Sequence, residues 1–334
     1  MHDLVTYDGV VPARGSLRSR SAALTSALTL RQLGAVLPPE RAWGLWLSRR
    51  IVATVMDAFG PPLVGAAVTD VDTHDSHGRR IAGEWVRGPG ADRTDAAIYY
   101  IHGSGYALCS PRTHRRLTAW LSRLMGLPVF SVDYRLAPHH RFPAAADDAH
   151  AGWEWMLAAT GLPADRVVVA GDSAGGHLAV DLMLHGDRTA REAAGLVLFS
   201  PLCDATLALA RTREQLRRDP AIRASDARKL LELYCGGIDP THPRLALDVA
   251  RGPVLPPTLI QAGGAEMLAA DAHQLADDIR AAGGTCELQV WPDQVHVFQA
   301  LPRLSREAAL AMRYVAAFVA NTLRDNSAAL DQTG

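Results

Sequence analysis

Apolar residues along much of this chain come in short runs, spaced by longer stretches of helical pattern. Residues 96–101, 129–132, 167–170, 196–200, 258–262 and 287–291 are such runs, each of strand length and too short for an ordinary helix. They read as buried strands. Residues 115–124, 145–159, 174–184 and 267–281 read as helices between them, and a last helix is expected over about 305–323. Alternation of this kind predicts an α/β fold with a mostly parallel central sheet flanked by helices on both faces. Two further short strands are expected at 65–71 and 80–86, joined by a turn at 75–78.

Two regions depart from the alternation. Residues 16–59 read as two helices, the second over 41–56 with Trp43, Leu45, Trp46, Ile51, Val52 and Val55 at helical spacing. Pro38-Pro39 opens it and Gly60-Pro61-Pro62 closes it. The connection from residue 200 to residue 257 has helical character around 208–218 and 225–235, and is longer than a crossover helix needs. Together the two regions are expected to form a helical cap over the strand ends. Trp43, Trp46, Tyr234 and the leucines of 205–234 are its candidate apolar lid.

Composition narrows the function classes. A length of 334 residues suits one large α/β domain with an added cap, and a hydrophobic fraction of 48% is ample for its core. Thirty-four Lys+Arg against 35 Asp+Glu leave no basic surplus for nucleic acid. Cys109, Cys203, Cys235 and Cys286 are scattered, with neither a C-x-x-C pair nor metal-ligand spacing, which suggests reduced thiols. Met1-His2-Asp3 is no basic leader, and the mildly apolar stretch 22–30 is too short and too polar to span a membrane. A cytoplasmic protein without stable membrane insertion is expected. No repeat or low-complexity block is visible.

The chemistry centres on Gly171-Asp172-Ser173-Ala174-Gly175, a G-x-S-x-G pattern. Its context matters more than its letters: a β-branched run precedes it and a helical stretch follows. A sharp strand-to-helix turn there lifts the Ser173 hydroxyl clear of the sheet. The start of the helix aims free N–H groups and partial positive charge at a developing oxyanion. The competing reading, a phosphate-binding loop, lacks G-x-G-x-x-G. His102-Gly103-Ser104-Gly105-Tyr106 follows the strand 96–101 and can present main-chain N–H groups to a ligand. It resembles the H-G-G-G loop of lipases and esterases, with Ser104 in place of the middle glycine, and His102 reads as a structural tether. His296, on the loop after strand 287–291, fits the catalytic base in the required order of serine, acid, histidine. His273 lies within a helical stretch, and His114, His139 and His140 precede the nucleophile.

With these motifs placed, the chain resembles the bacterial hormone-sensitive-lipase family of carboxylesterases, on the α/β-hydrolase fold. The match rests on 102–106, on Asp133-Tyr134-Arg135-Leu136-Ala137-Pro138, on Phe142-Pro143-Ala144-Ala145-Ala146-Asp147-Asp148 and on Gly171–Gly176 as G-D-S-A-G-G. It covers residues 65–325 well and the N-terminal helices loosely. The resemblance implies cap helices over 1–62, a catalytic domain over 63–202 and 253–325, a second cap segment over 203–252 and a disordered tail over 326–334. It implies oxyanion donors from the N–H groups of Ser104, Gly105 and Ala174, no cofactor, no metal, and a homodimer through the last strand and helix. Asp133, Arg135, Pro138 and Asp148 look like scaffold residues.

The acid of this fold sits after the strand preceding the histidine's strand, here 258–262. The family usually shows Asp-x-Leu there; this chain has Glu266-Met267-Leu268, so Glu266 fills the position. Asp271 is the rival, expected to face away if 267–281 is a regular helix, and Asp293 reads as a turn former. The expected activity is two-step hydrolysis of short- to medium-chain acyl esters, aryl esters included, through an acyl-enzyme. An amidase or arylacetamide-type deacetylase on the same residues is the alternative. A ligand receptor on this fold is a weaker one, since receptors resembling the family lack the histidine.

Overall fold

Every apolar run becomes a strand in the computed structural model, which describes residues 10–331. Strands β1 (Ala67–His74), β2 (Arg80–Arg87), β3 (Ala97–Ile101), β4 (Val129–Val132), β5 (Val167–Asp172), β6 (Gly195–Phe199), β7 (Thr258–Gly263) and β8 (Cys286–Trp291) form one sheet. Their order is β1-β2-β4-β3-β5-β6-β7-β8. β1 pairs antiparallel with β2 and β2 with β4; the other pairings are parallel. Each residue of β3, β4, β5 and β6 is buried. Continuous apolar runs are what strands covered on both faces require.

The two faces form two cores. Tyr99 and Ile101 of β3 with Val167 and Val169 of β5 pack under α5 (Ala144–Thr160), α6 (Ala174–His185) and α10 (Ala269–Ala281), through Trp153, Met156, Leu178, Met183, Leu275 and Ile279. Ile98, Tyr100, Val168 and Ala170, the alternate residues, pack under α4 (Pro111–Met125) and α11 (Glu307–Asp331) through Leu117, Trp120, Met312 and Val315. α4 starts on a Ser110–Thr113 capping box with Pro111 in its first turn, and stops at Gly126 in the left-handed region.

The N-terminal segment forms three helices where two are expected: α1 (Leu17–Leu28), α2 (Leu30–Val36) and α3 (Ala42–Phe59). The break falls at Thr29, whose backbone leaves the helical region (φ −120, ψ −80). Its hydroxyl donates to the Thr25 carbonyl at 2.7 Å, the local competition by which threonine weakens helices. A short α7 (Arg188–Arg191), capped by Asp187, has no counterpart among the expected elements. The long connection carries α8 (Ala208–Leu216) and α9 (Ala224–Cys235). α11 runs past residue 323 to Asp331, so the stretch 326–331 of the expected tail is helical; residues 332–334 lie outside the described residues. Among the described residues no helix is long and apolar enough to cross a membrane.

The strand order reverses at β3. The chain leaves β3 for β4 on one side, then crosses back to β5 on the other. Loops leaving the carboxyl ends of β3 and β5 therefore diverge and open a crevice between them, where open α/β sheets bind ligands.

Candidate active site

Ser173 sits on that crevice between β5 and α6 with φ 51 and ψ −120, a backbone conformation disfavoured for any residue with a Cβ. Strain of this kind costs about 1–3 kcal/mol and persists only where the surroundings enforce it. Here the Ser173 N–H donates to the Phe199 carbonyl (2.9 Å), and its own carbonyl accepts the Leu202 N–H (3.1 Å). The flanking glycines are steric necessities. A Cβ on Gly175 would lie 2.1 Å from the Ile101 carbonyl oxygen, and one on Gly171 would lie 2.6 Å from that of Gly175.

The facing loop is braced from below. Gly103 donates its N–H to Asp172 Oδ1 (3.0 Å). Ser104 has φ 93; its hydroxyl donates to the Gly103 carbonyl and accepts the Cys109 N–H (2.9 Å), so the residue replacing the middle glycine adds a brace. The N–H groups of Ser104, Gly105 and Ala174 have no acceptor among the described residues. The ring of His102 stacks on Tyr134 with centroids 4.2 Å apart, and its Nδ1 faces the Gly103 carbonyl at 3.1 Å. Burial pushes its pKa down to about 3, so the ring is neutral and tethers the loop.

Glu266 lies buried on the loop between β7 and α10. Its Oε1 accepts the Gly263 N–H (2.7 Å) and its Oε2 accepts a hydrogen bond from His296 Nδ1 (2.5 Å). The loops that carry Glu266 and His296 are zipped together: Gly264 donates to the Trp291 carbonyl (2.7 Å) and Ala265 to that of Gln294 (3.1 Å). Burial pushes the His296 pKa down, but the charge and hydrogen bond of Glu266, with the charges of Asp219 and Asp172, outweigh it and raise the pKa above its ordinary value. Ser200 Oγ accepts the Val297 N–H (3.0 Å) and steadies the next residue.

Ser104, Gly105, Ser173, Ala174 and His296 all line one cavity of about 340 Å³, with Glu266 behind His296. Its walls are mostly apolar and include Leu30 and Leu33 of α2, Ile51, Val52 and Val55 of α3, and Leu230 of α9. Three expected lid residues are elsewhere. Trp43 and Trp46 are 59% and 62% exposed, and Tyr234 is buried against Tyr106 at 4.1 Å between ring centroids. Asp271 is buried and accepts the Cys203 N–H (3.2 Å), away from His296. Asp293 is engaged with Gly15 and Arg217, and His139, His140 and His273 are exposed. Arg135 and Asp148 form a bidentate pair. The residues the sequence does not reveal are Ser200, Arg213 and Asp219, whose partners are main-chain groups of distant loops.

A model of the alpha/beta hydrolase fold family matches residues 98–300 of this chain. The esterase LipU of Mycobacterium tuberculosis is 36% identical over 69% of the chain and 79% of its own length. The carboxylesterase/phospholipase LipF of the same organism is 32% identical over 93% and 84%. The crystal structure of an esterase from the bacterial hormone-sensitive lipase family superposes with a TM-score of 0.79 at 29% identity, over 92% of this chain and 99% of that one. By sequence, by fold and by these relatives, the chain belongs to the α/β-hydrolase family, among the carboxylic ester hydrolases of the bacterial hormone-sensitive-lipase type.

Proposed function

We propose that this esterase hydrolyses short- to medium-chain acyl esters by acyl transfer through Ser173, His296 and Glu266. The observation that carries the reading is the Nδ1 hydrogen bond from His296 to buried Glu266, on the wall of the cavity that Ser173 also lines. With Nδ1 engaged, Nε2 is the nitrogen that takes the Ser173 proton as Oγ attacks the ester carbonyl carbon. The carbonyl oxygen becomes an oxyanion held by the N–H groups of Ser104, Gly105 and Ala174. Collapse expels the alcohol, which receives the proton from His296. Water, deprotonated by the same nitrogen, then attacks the acyl-enzyme and frees the acid and Ser173. The apolar walls and modest volume of the cavity favour a short or medium acyl chain. The four free cysteines favour a cytoplasmic setting, and the open edge of β8 offers a surface for a homodimer.

Labelling with a fluorophosphonate and a panel of p-nitrophenyl esters of increasing chain length, run beside an anilide, test the proposal. Peptide mapping should place the label on Ser173, and acetate to octanoate should be cleaved faster than palmitate or the anilide. Label on another serine with Ser173 free overturns the mechanism. Faster cleavage of the anilide overturns the substrate class in favour of an amidase.

A further inference from the structure

The peptide bond joining Glu266 to Met267 is gripped at both ends by side chains of the second cap segment. Arg213, on α8, donates from Nε to the Glu266 carbonyl (2.9 Å) and from Nη2 to the Gly264 carbonyl (2.8 Å). Asp219, buried in the turn between α8 and α9, accepts the Met267 N–H on Oδ2 (2.8 Å). Its Oδ1 accepts the N–H groups of Ala221 and Ile222 (2.7 and 3.0 Å), so the carboxylate is itself fixed. Arg31 of α2 locks this turn from outside. It donates to the carbonyls of Asp219 and Ile222 (2.6 and 3.0 Å) and to Glu214 (2.7 Å), whose other oxygen accepts the Ala224 N–H (2.9 Å).

The Glu266 carbonyl and the Met267 N–H lie just ahead of α10, so Arg213 and Asp219 supply partners that the helix ladder does not. A peptide plane held at both ends cannot tilt, and tilt is what would swing the Glu266 carboxylate. The extra methylene of a glutamate lengthens that lever relative to an aspartate. We propose that Arg213 and Asp219 are positioning residues: by gripping the Glu266–Met267 peptide they set the direction from which the carboxylate meets His296. The second cap segment is then part of the acid side of the site as well as a wall of its cavity. This inference rests on reading Ser173, His296 and Glu266 as the triad.

A double-mutant cycle on the full chain tests it, with kcat and KM measured on a p-nitrophenyl ester and folding checked by thermal unfolding. Arg213→Met keeps the apolar stem and removes both donors. It should lower kcat about tenfold or more with KM changed less than about twofold, as expected for a small misplacement of a reacting group. Arg213→Lys should recover part of that loss. In a Glu266→Gln background Arg213→Met should have little further effect, because there is no ionised carboxylate left to aim. Asp219→Asn, which turns an amide N–H toward one of the N–H groups the carboxylate accepts, should lower kcat with KM little changed. Equal losses from Arg213→Met with and without Glu266, or an unchanged kcat in Asp219→Asn, overturn the proposal. Near-normal turnover of Glu266→Gln alone overturns the triad reading instead, and the positioning role falls with it.

Discussion

Asp172 Oδ1 accepts the Gly103 N–H at 3.0 Å, so the residue immediately before Ser173 anchors the loop that faces it. The same carboxylate accepts the Tyr100 hydroxyl (2.7 Å) and meets His114 Nε2 at 3.3 Å. The Ser173 turn and the 102–106 loop are thus two ends of one buried polar network. Burial pushes the Asp172 pKa up, but the charge and hydrogen bond of His114 and the hydrogen bond from Tyr100 prevail and hold it below its ordinary value.

Asp172→Asn should therefore destabilise the protein and misplace the loop. A carboxylate with a depressed folded pKa contributes stability above its unfolded value of about 3.9 and loses it as pH falls through the folded one. The variant should be about 2–3 kcal/mol less stable than the parent near pH 7, with the deficit shrinking in acid, and kcat should fall at least about tenfold. Denaturant melts across pH and ester turnover check this. Equal stability at pH 7 would show that the network is not held by charge.

Glu266 and Asp271 should separate cleanly. Glu266→Gln should lower kcat by about 10² or more, as when a triad acid is neutralised. Asp271 is different: burial pushes its pKa up to about 7, and its Oδ2 has no partner among the described residues. A carboxyl with a raised folded pKa loses stability as pH rises from its unfolded value of about 3.9 to the folded one. Asp271→Asn keeps an acceptor for the Cys203 N–H and removes the charge. It should keep turnover within about twofold and melt higher than the parent at pH 8, with no gain near pH 4. Loss of turnover in Asp271→Asn with Glu266→Gln intact would move the acid to Asp271.

The pH profile reports on the histidine. In the proposed mechanism Nε2 must be unprotonated to take the Ser173 proton; the His296 pKa is raised, so kcat/KM should climb with pH through a midpoint above the ordinary value of about 6.5. In Glu266→Gln the largest opposing influence is gone and burial pulls the midpoint down. A midpoint that stays in place in that variant would mean that Glu266 does not act on His296.

Legibility in the sequence followed the range of each interaction. The strands and the Ser173 turn were readable because short apolar runs and G-x-S-x-G are local patterns whose causes are local: crossing backbones at Gly171 and Gly175 leave no room for a Cβ. His296 and Glu266 needed the strand order as well as the letters. Arg213 and Asp219 were invisible, since they grip main-chain atoms 53 and 48 positions away and no pattern marks the pairing. The tryptophans of α3 show a different limit. Trp43, Trp46, Arg50, Thr54 and Asp57 form one exposed helical stripe, while Leu45, Ile51, Val52 and Val55 turn inward. Counting the two tryptophans with the apolar positions of the helix placed them on the wrong face; the aliphatic residues alone mark the buried one.

That inward stripe sets the last expectation. Val52 lines the cavity from α3, whereas Trp43 is outside it. Val52→Trp should narrow the space for the acyl chain without touching Ser173, Glu266 or His296. Removing room for a few methylenes is worth about 1–3 kcal/mol of discrimination each. The ratio of kcat/KM for the octanoate ester to that for the acetate ester should therefore fall about tenfold or more, with acetate turnover within about threefold of the parent. Trp43→Ser should leave the ratio unchanged, because its ring meets solvent. If Val52→Trp also leaves the ratio unchanged while both proteins melt like the parent, the acyl chain does not reach α3, and chain-length selection resides on α9 and the Leu301–Leu304 wall of the same cavity.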